Sequence, residues 1–178
     1  MEHAGSRATY SLNVDFTLDQ QFSKSGDAVA AALVDPDLLQ QMTELPLLAE
    51  ATVLTTERSG DRIRQSVRYR FQAELSSAVR RVIDPAKLTW VEMGEHDLSK
   101  GLSRFEIRPD HYPDLLQGRY TARVESNGEG EASTRIVRGM IKVKVLLVGA
   151  RVENAIISNL RELAEAQQKI VEDWISSK

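Results

Sequence analysis

Glu92 and His96 are the side chains best suited to proton transfer in this sequence. Glu92 lies in the apolar run Leu88-Thr89-Trp90-Val91-Glu92-Met93, and His96 stands between Glu95 and Asp97. A carboxyl turned into an apolar interior has a raised pKa and can act as a general acid or base. A histidine beside a carboxylate can serve as a general base. The two-residue period of a strand gives Glu92 two placements. With Leu88 and Trp90 inward, it follows them. With Thr89, Val91 and Met93 inward, the register preferred here, it is a solvated charge. His96 is expected in a loop, and no serine or other nucleophile is placed by spacing to complete a catalytic set with it. Both residues stand as candidates, and no catalytic residue is assigned. His111, within Pro109-Asp110-His111-Tyr112-Pro113, reads as part of a rigid turn.

Binding is better represented than catalysis. In the run from Arg62 to Phe71, four arginines and a serine occupy alternate positions, so Ile63, Gln65, Val67, Tyr69 and Phe71 share the inward face. A buried amide or phenol needs a partner. A ligand oxygen could supply it, although pairing of Gln65 with nearby backbone and of the Tyr69 hydroxyl with solvent is the preferred reading. Tyr120 and Phe105 lie on two further inward faces, where aromatics are ordinarily core. In the last helix Ile156, Leu160, Leu163, Gln167, Ile170 and Trp174 recur at steps of four and three. Gln167 stands where Leu or Ile is expected. It either faces a cavity, where one hydrogen bond can orient a ligand, or sits half exposed at the sheet's edge. The ligand-binding candidates are therefore Gln65, Tyr69, Phe71, Trp90, Phe105, Tyr120, Ile156, Leu160, Leu163 and Gln167.

Composition removes several alternatives. The 178 residues include no cysteine, which excludes disulfides, thiolate catalysis and iron-sulfur clusters. The three histidines, His3, His96 and His111, lack metal-ligand spacing, so no metal and no cofactor is expected. The net charge of −3 argues against a general nucleic-acid binder. Arg62, Arg64, Arg68 and Arg70 share one outer strand face, and Arg135, Arg138, Lys142 and Lys144 add positive charge in another segment. Such faces are normally solvated, offset by cross-strand carboxylates such as Asp15, Glu57 or Glu125. The longest apolar stretch, Met140 to Val148, is interrupted by Lys142 and Lys144, so no membrane insertion is expected. The first residues lack the apolar core of a signal peptide, and a cytoplasmic protein is the expectation. The sequence sets no oligomeric state.

The elements that position these residues follow from periodicity and punctuation. Tyr10, Leu12, Val14, Phe16 and Leu18 alternate with polar residues and form a first strand. Ser25 caps a short helix ending near Val34, and Asp35-Pro36 opens a second that Pro46 closes. Strands are expected over Ala51 to Arg58 and Arg62 to Phe71, joined as a hairpin, and over Lys87 to Met93, Leu102 to Arg108, Gln117 to Glu125 and Ser133 to Val145. Leu75, Val79 and Val82 suggest a short helix that interrupts the meander. A long amphipathic helix runs from Gly149 to Lys178. Length and composition fit one soluble domain spanning 1–178.

A strand, two short helices, a run of antiparallel strands and one long closing helix resemble the helix-grip fold of the START and Bet v 1-like superfamily, which includes polyketide cyclases and aromatases. The stretch Gly139-Met140-Ile141-Lys142-Val143-Lys144-Val145-Leu146-Leu147-Val148-Gly149-Ala150-Arg151-Val152-Glu153 is similar to the strand-to-helix junction of an uncharacterised bacterial family within it. The resemblance implies an α+β protein whose curved antiparallel sheet wraps around its C-terminal helix, with a space between them. It implies no universal catalytic motif. The function expected is binding or transport of a hydrophobic or amphipathic small molecule, lipid-like or polyketide-like. The alternatives are a cyclase, aromatase or dehydratase, which would need Glu92 or His96 inside the cavity, and a ligand-free protein-interaction module with a filled core.

Overall fold

The structure, a computed structural model, describes residues 10–72, 77–81, 84–114, 116–145 and 150–178. Strand β1 (Tyr10–Phe22) leads into helices α1 (Gly26–Ala32) and α2 (Pro36–Gln40). Strands β2 (Leu48–Ser59) and β3 (Arg62–Phe71) form a hairpin, followed by one turn of helix, α3 (Ser77–Arg80). Strands β4 (Thr89–Asp97), β5 (Leu102–Pro109), β6 (Leu116–Asn127) and β7 (Ala132–Val145) complete the meander before α4 (Ala150–Ser176). Of the residues that suggested a helix after β3, Leu75 and Val82 lie outside those described.

Local chemistry accounts for the starts and stops. Ser25 accepts the Ala28 N–H and caps α1, while Asp35 accepts the Asp37 N–H ahead of Pro36 at the start of α2. Proline is harmless there because the first helical N–H has no partner within the helix. Gly101, at φ 58°, ends a turn of 3-10 helix and lets β5 begin.

The seven strands are ordered β1-β7-β6-β5-β4-β3-β2, every neighbouring pair antiparallel. The sheet curves around α4. Where β6 pairs with β7, Tyr120 lies opposite Gly139, and a Cβ on that glycine would stand 2.3 Å from the Tyr120 Cβ. Glycine there lets the tyrosine lie across the strand.

Packing falls into two clusters. One joins Val29, Ala32, Leu38, Leu39 and Met42 of the short helical segment to Val67, Tyr69 and, on α4, Val171. The other gathers Phe16, Ala122, Val137 and Ile141 on the sheet, with Leu160 of α4 against them. The C-terminal half of α4 is thus clamped between sheet and short helices, whereas its N-terminal half reaches the sheet cluster through Leu160.

Several sequence expectations change. β4 extends to Asp97, so His96 sits in a strand and not in a loop. Gly94 and His96 are buried while Met93 and Glu95 are exposed, so Trp90 and Glu92 face inward, opposite to the preferred register. Arg135 is only 7% exposed and belongs to the inner face, whereas Arg138 is exposed on the outer one. On the outer face Arg64, Arg68 and Arg70 pair with Glu95, Asp110 and Glu50. Those partners differ from the carboxylates expected: Glu95 faces Arg64 from β4, Glu50 faces Arg70 from β2, and Asp110 follows β5.

Candidate functional site: a cavity between sheet and helix

The gap beneath the N-terminal half of α4 is a cavity of about 650 Å³. β1 contributes Phe16 and Leu18, β3 Tyr69 and Phe71, β4 Trp90 and Glu92, and β7 Arg135, Val137, Ile141 and Val143. Ile156, Asn159, Leu160, Leu163, Ala164 and Gln167 cover it from α4. The wall is mostly aliphatic and aromatic, as binding sites for small organic molecules are. Exposed Lys87 and His111 mark its open end. Leu47 and Tyr112 also line it, at φ 66° and 52°, left-handed conformations uncommon for such side chains. The α3 segment contributes no described lining residue, whereas Leu45, Leu47 and Leu48 after α2 do.

The polar groups gather at the inner end. Gln20 and Arg135 are partners across β1 and β7, both facing inward. Arg135 Nη1 donates to Gln20 Oε1 at 2.6 Å and to Gln167 Oε1 at 2.9 Å. Gln20 Nε2 in turn donates to the Ala164 carbonyl at 2.6 Å, tying the strand pair to α4. From the other side, the Tyr120 hydroxyl donates to Glu92 Oε2. Tyr120 stacks on Phe105, ring centroids 4.4 Å apart, which fixes the direction of its hydroxyl.

These surroundings shift several protonation equilibria. Burial raises Glu92 above the usual carboxylate range, partly opposed by the Tyr120 hydrogen bond and the Arg135 charge. Glu92 and Tyr120 keep some accessible surface, but both line the cavity and that surface looks inward. Burial, then the Glu92 charge, pushes Tyr69 and Tyr120 well above 10, so both are neutral phenols. Arg135 is lowered by burial, with Tyr120 and Glu92 opposing that shift. The nearby carboxyl therefore helps an enclosed guanidinium keep its charge.

A second space, about 50 Å³ and so of water size, continues from the inner end toward Gln65, His96, Ser103 and Phe105. His96 Nδ1 and Ser103 Oγ are hydrogen-bonded at 2.8 Å, and the two residues are cross-strand partners. Burial, with the Arg135 charge, lowers His96 to about 4. Sequence spacing concealed this serine because the pairing of β4 with β5 brings it to the histidine.

The ten ligand-binding candidates therefore divide. Tyr69, Phe71, Trp90, Tyr120, Ile156, Leu160, Leu163 and Gln167 surround the large cavity. Gln65 and Phe105 border only the small one, and Gln65 Nε2 is satisfied by the Val34 carbonyl at 3.2 Å and Thr56 Oγ1 at 3.1 Å. The Tyr69 hydroxyl opens into the cavity and not into bulk solvent. Of the two acid-base candidates, Glu92 lines both spaces and His96 only the smaller. Arg135 was missed as a site residue. Its signal was available, since alternation with Val137 and Ile141 places it on the inner face.

Comparison with solved structures shows the same architecture elsewhere. The Thermus thermophilus protein TTHA0849 is 16% identical, with a TM-score of 0.66 over 93% of this chain and 98% of that one. A START superfamily protein from Mycobacterium smegmatis is 12% identical, TM-score 0.56, over 92% and 98% of the two chains. The Zhui aromatase/cyclase from Streptomyces sp. R1128 is 13% identical, TM-score 0.53, over 94% and 93%. At such identities the likeness is one of fold, and the chain has the helix-grip fold of the START and Bet v 1-like superfamily. No functionally curated protein matches it in sequence. Among the described residues no helix is long and apolar enough to cross a membrane. The sequence matches over residues 17–175 the family described as Protein of unknown function (DUF2505), and the chain belongs to that family.

Proposed function

We propose that this protein binds a hydrophobic or amphipathic small molecule between its sheet and α4, as a carrier or sensor. The observation that carries the reading is the cavity itself: about 650 Å³, lined mainly by aliphatic and aromatic side chains. Burial of apolar ligand surface there contributes about 25 cal/mol per Å². The short helices and the C-terminal half of α4 pack against β3 beside the cavity, an arrangement that favours a site formed before the ligand arrives. The test is native mass spectrometry of protein purified from its own source, followed by denaturation and identification of what is released. A stoichiometric apolar molecule is the expected result. Uniformly ligand-free protein that also fails to take up added lipids or aromatic compounds would overturn the reading in favour of an interaction module.

The contact of Tyr120 with Glu92 supports a second reading, acid-base chemistry on a bound polyketide-like substrate, as the name of the aromatase/cyclase structure suggests. A carboxyl with a raised pKa, facing the cavity, can exchange a proton with a ligand carbon or oxygen. Incubation with aromatic polyketide precursors, followed by product analysis, tests it. Turnover abolished by Glu92→Gln is required.

A further inference from the structure

The inner end of the cavity has more hydrogen-bond donors than acceptors. Among the described residues, Arg135 makes its hydrogen bonds through Nη1, which leaves Nη2 and Nε without protein partners. The Gln167 amide nitrogen and the Tyr69 hydroxyl have no partner there either. Yet among the described residues no enclosed side-chain nitrogen or oxygen lacks a hydrogen bond, so these groups must be reached from the cavity they line. Arg135 and Tyr69 are each only 7% exposed, and what they expose is therefore aimed inward. On the acceptor side stands Glu92, with one oxygen engaged by Tyr120. A guanidinium offers a planar fork of donors that matches a carboxylate, and a fork with one nitrogen already fixed is pre-organised for it.

We propose that the ligand is an amphipathic carboxylic acid whose carboxylate sits on Arg135, Gln167 and Tyr69 while its apolar body fills the cavity toward α4's N-terminal half. This inference rests on the ligand-binding reading and specifies the head group of the ligand. The space holds on the order of twenty water-sized groups at about 30 Å³ each, enough for a long acyl chain or a fused aromatic system. Burial shifts Glu92 toward its neutral form, against the pull of the Tyr120 hydrogen bond and the Arg135 charge, and that shift lessens its repulsion of an arriving carboxylate. The other ionisable groups around it, His96 on its own strand and Tyr69 on β3, are neutral, so Arg135 supplies the positive charge of the site.

The test compares acids with neutral analogues of the same body. Hexadecanoic acid and pyrenebutyric acid, each with its methyl ester and its primary alcohol, are measured by equilibrium dialysis at mildly alkaline pH. The wild type should favour the acid over both neutral forms by about tenfold or more in at least one series, the size of one hydrogen bond to a charged group. Arg135→Gln should bring acid and ester close to parity while ester binding persists. Gln167→Leu, at a partly exposed position, should reduce the preference even if the Arg135 variant fails to fold. Glu92→Gln should keep or increase it. Neutral forms binding as well as the acid in both series, or loss of the preference in Glu92→Gln, would overturn the carboxylate assignment and leave the cavity reading standing. Absence of binding by all six compounds would overturn both.

Discussion

A guanidinium enclosed at the end of an apolar cavity is costly unless its charge and its donors are met. For Arg135 the two glutamine oxygens satisfy one nitrogen, and the neighbouring Glu92 carboxyl opposes the lowering that burial imposes. His96 solves the opposite problem by staying neutral. Its folded pKa, about 4, lies below the ordinary 6.5, so between those values the unfolded chain binds more protons than the folded one. Stability from this residue is therefore intact above about pH 6.5 and is lost progressively as pH falls toward 4. At 6% exposure the loss should reach up to about 3 kcal/mol. Urea unfolding near pH 7 and near pH 5 should show a drop in the wild type that His96→Gln largely removes. An equal drop in both proteins would show that other groups control the acid response. Glu92 has the opposite sign: its raised pKa favours the folded state toward acid, which is why the comparison is between proteins and not between pH values alone.

At the scale of elements, strand alternation and helix caps made most of the fold legible. The capping residues Ser25 and Asp35, the β3 face of Ile63, Val67 and Tyr69, and the α4 stripe lie where periodicity placed them. The failures have two causes. Around Trp90 both strand faces are apolar, because Val91 and Met93 alternate with Leu88 and Trp90, so local pattern could not choose between them. Pairing decided it: Gly94 lies opposite Phe105, next to the buried His96, and a Cβ on Gly94 would stand 2.6 Å from the His96 Nε2. Arg135 was overlooked because of its type, since arginines on strands are normally outward, although alternation with Val137 and Ile141 places it inward, opposite the buried Gln20 of β1. Gly139→Ala should destabilise the protein by about 1–3 kcal/mol, because both the Tyr120 side chain and the Arg119 carbonyl would have to move. Urea denaturation measures it, and an unchanged midpoint would mean that the sheet is less tightly bent there than the contact implies.

For the whole molecule, the main division is between a packed half and a hollow half of one helix. Val171, Ile170 and Trp174 of α4 are packed with the short helices and β3, while Ile156, Leu160 and Leu163 form the roof of the cavity. Sequence could not separate these halves, because the same apolar stripe serves a filled core and a cavity wall alike. What distinguishes them is the distance between sheet and helix, a property of the assembled fold. If the gap is a binding site, filling it must weaken binding. Ala164 lines the gap from α4, so Ala164→Phe should occupy it with little loss of stability. The measurement is fluorescence titration of the neutral apolar probe N-phenylnaphthylamine into the wild type and this variant. Saturable one-to-one binding in the wild type, weakened about tenfold or more in a variant that unfolds at the same urea concentration, is the predicted result. Equal binding by both proteins, or none by the wild type, would contradict it.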